Sequence, residues 1–340
     1  MSKKNTKKIL FFSKTLDFLE HYLPEQSLKS RNTIETYRDA LTVFRRYITG
    51  TRNLSLRTFG FEDCTHDFLL SYIEFLHKNG NSETTCNNRL AAIRAYLWYA
   101  ADCDISLQSV ALTASRVPFL KVPKLTREVI PDDALKALLS APPDTKIGRR
   151  DRLILILLYD SAVRVSELLS MNISSVNLKA DIPYLRIYGK GDKERIVAIT
   201  DRTAEHLKNY LKAYHKVTEP DAPLIYTVIK GHRDRMSVGN VERIIKKYAA
   251  QIRSKYPNLP KRCYPHMFRR TRATNLYQDG TELELVSRIL GHSSTETTRT
   301  YAVPSVDMMR KVMESGNLES DEKPLWPDDE AEMARICGLR

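Results

Sequence analysis

Six side chains in the second half of the chain are of types that can hold a phosphate anion and move protons around it. Arg164 lies in S-A-V-R-V-S-E-L, just after one apolar helical stretch and at the start of another. His266 and Arg269 stand three apart in H-M-F-R and so share a helical face. His292 lies in L-G-H-S-S between two helical patterns, Tyr301 follows nine residues later, and Lys190 sits in G-K-G-D-K-E. Guanidinium groups are permanently charged forks that hold oxyanions through paired hydrogen bonds. A phenol, with a pKa of about 10, attacks well once an imidazole within reach takes its proton. Each residue also has an ordinary use. Arg164 can cap a helix or pair with Glu167 one turn on, and His266 can be satisfied locally after Pro265. Tyr301 can be one more core aromatic among 17 Tyr. Lys190 competes with Lys193 on the same turn, and either can be a solvated tip. The order and spacing of the whole set carry the signal.

The elements that must position these groups are mostly helical. Apolar residues at steps of three and four predict helices over Ser30 to Ile48, Thr65 to Leu76 and Ser82 to Ala100, with a weaker one over Lys8 to Tyr22. The N-terminal third therefore reads as a small helical bundle. From Val117 to Pro131 three prolines alternate with Lys121, Lys124 and Arg127, which predicts a basic interdomain linker. Helical patterns resume over Asp132 to Leu139 and Asp151 to Tyr159, the latter apolar nearly all round. Residues 184–199 read as two short strands around a glycine turn, a β-hairpin with Lys190 at its tip. Further helices are predicted over Asp201 to Tyr214, Ser237 to Ile252, His266 to Gln278, Glu282 to Leu290, and from about Ser294. Gly291 can end one helix, and Ser293 with Glu296 can form a capping box for the next. The fold class is mainly α with a small β-sheet: a helical domain over 1–116, a linker over 117–130, a catalytic domain over 131–312, and an acidic tail over 313–340.

Composition narrows the partner. The formal net charge is +13, and a polyanion is the commonest reason for a folded chain to keep that much like charge. Residues 131–312 hold 32 Lys and Arg against 20 Asp and Glu, whereas residues 313–340 hold 3 against 8. Nucleic acid is the leading candidate partner, and the acidic tail suits a basic protein surface better. The 5 cysteines are scattered, with no C-x-x-C, which argues against a disulfide framework and a zinc site and fits a reducing cytoplasm. The longest apolar run, Leu153 to Tyr159, is far too short to span a bilayer, and no signal peptide is evident.

With these motifs in line, the sequence resembles the tyrosine recombinases: phage integrases, Xer-type recombinases and mobile-element integrases. The likeness is strong from about Asp132 to Pro304 and looser over the N-terminal bundle. The family pattern is an Arg in R-x-S-E-L, a Lys on a hairpin turn, an H-x-x-R, an L-G-H, and a Tyr nine residues on; Arg164, Lys190, His266, Arg269, His292 and Tyr301 fill every slot. Ala162-Val163 stands where many relatives have Gly-Leu, and the tail after Pro304 is longer than in many.

The resemblance implies a core-binding domain and a catalytic domain clamping DNA, with cleavage through a covalent 3′-phosphotyrosine and a Holliday junction, without metal, ATP or other cofactor. Arg164 and Arg269 would hold the non-bridging oxygens, and His292 would bond the phosphate. His266 would take the Tyr301 proton, Lys190 would protonate the departing 5′-oxygen, and Glu167 would orient its neighbours. Inverted core half-sites, a homotetramer on DNA, accessory or co-recombinase proteins and a nucleoid location are implied likewise, with a mobile element preferred. Asn87, Arg89 and Arg94, on the polar side of the Ser82 helix, are candidates for base edges, with a merely solvated face the alternative. Lys121 and Lys124 are candidates for phosphates. The rivals are a type IB topoisomerase-like relaxase and a DNA-binding protein that does not cut.

Overall fold

The computed structural model describes residues 8–123, 128–189, 194–215, 219–292, 295–301, 304, 306–315 and 329–339. The chain divides into two compact units, 1–126 and 127–340, each with its own hydrophobic core.

The first unit opens with an irregular helical segment, Phe11–Lys14, Thr15–Asp17 and Phe18–Gln26. Its later turns are wide: the Ser27 N–H reaches the Tyr22 carbonyl five residues back at 2.8 Å. Pro24 lies inside it, and a residue without an N–H cannot continue a regular ladder, so the segment is looser and longer than the predicted helix. Then come α1 (Arg31–Arg46), α2 (His66–Lys78), α3 (Glu83–Cys103) and α4 (Gln108–Ser115). Ser30, Thr65 and Ser82 cap the first three, each accepting the N–H three residues on. The bundle closes on aromatic rings: Phe11, Phe18, Phe44, Tyr72 and Tyr96 are each under 2% exposed, and Phe44 meets Tyr72 edge-on at 4.8 Å. Burying each such ring is worth roughly 2 to 3 kcal/mol. The short α4, rich in small residues, shows no clear apolar period, which is why the sequence did not announce it.

In the second unit α5 (Asp132–Ser140) leads to α6 (Lys146–Asp160), the central helix, with Leu153, Ile154, Leu155, Leu157 and Leu158 all buried. Thr145 caps α6 by accepting the Gly148 N–H at 3.1 Å. After α7 (Val165–Ser170) come β1 (Val176–Asn177), β2 (Tyr184–Tyr188) and β3 (Glu194–Ala198), an antiparallel sheet in that order. Its β2–β3 register runs from Tyr184 opposite Ala198 to Tyr188 opposite Glu194, the expected hairpin. Next are α8 (Asp201–Tyr214) and a second hairpin, β4 (Tyr226–Ile229) with β5 (His232–Arg235). This hairpin was not predicted: all four β5 residues are exposed, so no alternation marks them. It turns through Lys230 and Gly231, both at positive φ, as a tight two-residue turn requires. The rest is helical: α9 (Val238–Ile252), α10 (Pro265–Gln278), α11 (Leu283–Leu290), α12 (Thr295–Arg299), α13 (Val306–Ser315) and α14 (Glu330–Ile336). Both α8 and α10 pack on α6, which is how the loop after α6 comes to lie beside α10. Among the described residues, no helix is long and apolar enough to cross a membrane.

Candidate active site

Arg164 ends the loop between α6 and α7 as the N-cap residue of α7, in extended conformation. Glu167, one turn on, returns to cap it: its Oε2 accepts the Arg164 N–H at 2.9 Å and its Oε1 accepts Arg164 Nη1 at 2.7 Å. Two residues before Arg164 the chain turns through Ala162 at φ +49°, a left-handed conformation that costs a residue with a Cβ about 1 kcal/mol or more. The turn aims the Ala162 carbonyl at Arg269, whose Nη1 donates to it at 2.6 Å.

Arg269 comes from α10 and has no exposed surface. Its Nη2 donates to the Leu290 carbonyl at the end of α11, at 2.5 Å. This guanidinium thus ties the loop ahead of Arg164 to the helix ahead of His292. Burial, and then the nearby Arg164 charge, lower its pKa to about 10, which still leaves it protonated at neutral pH.

Gly291 ends α11 at φ +63°, and the His292 N–H donates back to Ser287 at 3.1 Å. The imidazole Nδ1 lies 2.8 Å from the hydroxyl of Thr298, a fully buried residue of α12. Burial first, then the charges of Arg269 and Arg164, push the His292 pKa down to about 4, so this ring is neutral at pH 7. Ser293, the expected cap of the next helix, lies outside the described residues.

His266 occupies the first turn of α10, after Pro265, which suits a position where no N–H partner exists. Its Nε2 is 3.2 Å from the Tyr301 hydroxyl. The Tyr301 ring is 3% exposed, packs with Ala162, Ala273, Val286 and Leu290, and lies 5.9 Å from the His292 ring. Five of the six residues singled out first, from positions as far apart as 164 and 301, therefore meet with Glu167 in one place. The sixth, Lys190, and its rival Lys193 lie outside the described residues, between β2 and β3 in the sequence.

A residue the sequence analysis overlooked, Arg195 on β3, sits among them. Its Nη1 and Nη2 donate to the two oxygens of Glu167 at 3.0 and 2.7 Å, and its Nε lies 3.3 Å from the Ile289 carbonyl. The signal was in the strand period: Arg195 shares the inward face of β3 with buried Val197, while Ile196 is turned outward and exposed. Burial alone would raise the pKa of Glu167, but the hydrogen bonds from Arg195 and Arg164 outweigh it and take it to about 2.

In the first unit, the residues expected to face DNA bases have other engagements. Both ends of the Asn87 amide bond the Leu120 backbone, at 2.9 and 2.8 Å. Arg94 donates to the carbonyls of Ala114 and Val117 and stacks over Phe119, 4.4 Å from its centroid. Arg89 donates to Asn81 at 2.8 Å. Asn87 and Arg94 thus hold the chain after α4 against α3, a use that neither base reading nor a solvated face anticipated. Lys121 is exposed, and Lys124 lies outside the described residues. Among the described residues no cluster of His, Cys, Asp or Glu could hold a metal ion.

Residues 128–307, more than half the chain, match the phage integrase family, and residues 14–111 match the phage integrase SAM-like domain. The chain belongs to the phage integrase family. Its relatives include tyrosine recombinase XerA of Thermococcus kodakarensis, 29% identical over 90% of this chain and 96% of the relative. Tyrosine recombinase XerC of Thermodesulfovibrio yellowstonii is 31% identical over 74% of this chain and 79% of the relative. In fold, the integrase of transposon Tn1549, solved with transposon right-end DNA, aligns at TM-score 0.65 and 15% identity over 88% of this chain and 98% of its own. XerH recombinase, solved on a palindromic difH substrate after cleavage, aligns at 0.63 and 21% identity over 84% and 79%. This phage integrase family member is thus a tyrosine recombinase, of a family that cleaves and rejoins DNA with no metal or ATP.

Proposed function

We propose that this chain recombines DNA at specific sites, with Tyr301 as the nucleophile. The observation that carries the reading is the Tyr301 hydroxyl 3.2 Å from His266 Nε2, in a pocket that also holds Arg164, Arg269 and His292. As the phenol oxygen attacks phosphorus, its proton passes to His266 and negative charge builds on the non-bridging oxygens. Arg164 and Arg269 hold that charge. If Thr298 donates its hydroxyl proton to Nδ1 of neutral His292, the ring proton sits on Nε2, the tautomer that can donate to a phosphate oxygen. The 5′-oxygen leaves with a proton from Lys190. The 3′-phosphotyrosine keeps the energy of the broken bond, so a 5′-hydroxyl of another strand can attack it, expel Tyr301 and reseal the backbone. Tyr301 and Arg269 are covered in this arrangement, so a bound phosphate must uncover them before attack.

Two protomers on inverted core half-sites, and a tetramer exchanging strands through a Holliday junction, fit this chemistry. The Tn1549 integrase, solved with transposon-end DNA, supports a mobile element as the substrate. The relatives named XerC and XerD leave room for a co-recombinase. A cytoplasmic, nucleoid-associated setting and a DNA-facing Lys121 and Lys124 belong to the same reading. So does a tail from Met313 that packs on a neighbouring protomer. The test is a nicked suicide duplex carrying the element's own ends, incubated in chelator. An SDS-resistant adduct confined to one sequence supports the reading. Relaxation of any supercoiled plasmid points to a topoisomerase-like enzyme, and binding without an adduct to a protein that does not cut.

A further inference from the structure

We propose that Arg195 is a positioning residue for strand cleavage, fixing Glu167 and the α11–His292 corner in one frame so that Arg164 and His292 address the same phosphate. The proposal rests on the reading of this pocket as the cleavage site. Capping α7 requires one carboxylate oxygen and one partner, and Arg164 already supplies a backbone N–H and a guanidinium N–H to Glu167. A second guanidinium nonetheless arrives from 28 residues away and grips both oxygens of the same carboxylate. Bringing it beside Arg164 and Arg269 costs Coulomb repulsion, which the paired bond to Glu167 offsets.

The third bond of Arg195 is what makes it more than a counter-ion. Its Nε points to the Ile289 carbonyl, in the last turn of the helix that delivers His292. A Cβ at Gly291 would lie 2.8 to 2.9 Å from Cδ, Cζ and Nε of Arg195, so the glycine leaves room for this side chain as well as ending the helix. Arg195 is also the second residue of β3 in the β2–β3 hairpin, five residues after Lys190 in the sequence, and Ile187 is its partner across the sheet. One side chain, 13% exposed, thereby links the root of that hairpin, the carboxylate behind Arg164 and the helix behind His292. It acts through these groups and need not touch DNA. Without its fork, Glu167 has Arg164 as its remaining cation and draws that guanidinium away from the phosphate.

The test uses the full chain and a nicked duplex that wild type cleaves, comparing Arg195→Lys, Glu167→Gln and the double variant Glu167→Gln/Arg195→Gln. The double variant removes the Glu167 and Arg195 charges together, so neither is left facing an absent partner, and circular dichroism melting of each variant separates loss of fold from loss of cleavage. For Arg195→Lys, which keeps the charge and loses the fork, the single-turnover cleavage rate should fall about 10- to 100-fold, while half-site affinity stays within about threefold. The double variant should cleave no more slowly than the slower single variant, since the two residues act as one unit. Wild-type cleavage by a folded Arg195→Lys chain would overturn the proposal, as would equal losses of binding and rate or multiplicative losses in the double variant. A wild-type adduct that survives Tyr301→Phe would instead overturn the reading of the site itself, which separates the two failures.

Discussion

Glu167 carries four hydrogen bonds on two oxygens while almost fully buried, an arrangement tolerable only because two guanidinium groups neutralise it. Its pKa, lowered to about 2 in the folded chain, makes it a source of acid sensitivity. The unfolded carboxyl titrates higher, so the stability it confers is complete above about pH 5 and is lost as pH falls towards 2; the contribution is about 2 to 4 kcal/mol. Urea unfolding at pH 6, 4 and 3 should show a steep loss for wild type and a shallower one for Glu167→Gln. His292 adds a loss of the same sign at higher pH, since its folded pKa of about 4 lies below that of a free imidazole. A ring that is already neutral at pH 7 should add no ionisation step to the pH profile of cleavage near neutrality. The site was largely legible at this scale because its residue types are chemically demanding and their motifs are local. Arg195 and Thr298 were not, because each supports a group brought close only by folding, Glu167 for one and His292 for the other.

Among the elements, the α11 to α12 corner and the turn before α7 do most to shape the pocket. Gly291 is required twice, by its positive φ and by the Arg195 side chain in the space a Cβ would fill. Gly291→Ala should lower stability by about 1 to 2 kcal/mol, read as a drop in thermal midpoint, and should slow cleavage by displacing Arg195. Ala162 is the counterpart case, where a residue with a Cβ takes a left-handed turn while fully buried. Ala162→Gly relieves that strain at the cost of a freer unfolded chain, so its midpoint should stay within about 1 kcal/mol of wild type, whereas Ala162→Val should be far less stable. Helices with a strong apolar stripe, such as α1 and α9, were plain in the sequence. The wide turns after Phe18, the small-residue α4 and the exposed β4–β5 hairpin were not, since a proline, small side chains and two-sided exposure erase the periodic signal.

For the molecule as a whole, charge and tail make separate predictions. The excess of Lys and Arg over residues 131–312 should appear as steep salt dependence: raising salt from about 50 to 200 mM should weaken half-site binding at least a hundredfold if several phosphates are neutralised. A shallow dependence would mean that the basic surface is used elsewhere. On α13, Val306, Met309 and Met313 recur on one face and are 78%, 50% and 73% exposed. Removing residues 316–340, or substituting Met309→Asp with Met313→Asp, should weaken assembly on paired half-sites more than binding to one, by gel shift. Unchanged assembly would remove the tail from the account.

The most direct measurement takes the adduct trapped on the nicked duplex, digests protein and DNA, and maps the modified peptide by mass spectrometry. The account predicts a nucleotide joined through its 3′-phosphate to Tyr301, and no adduct from Tyr301→Phe that is folded and still binds the site. A phosphate on any other residue, or attachment through a 5′ end, would contradict it.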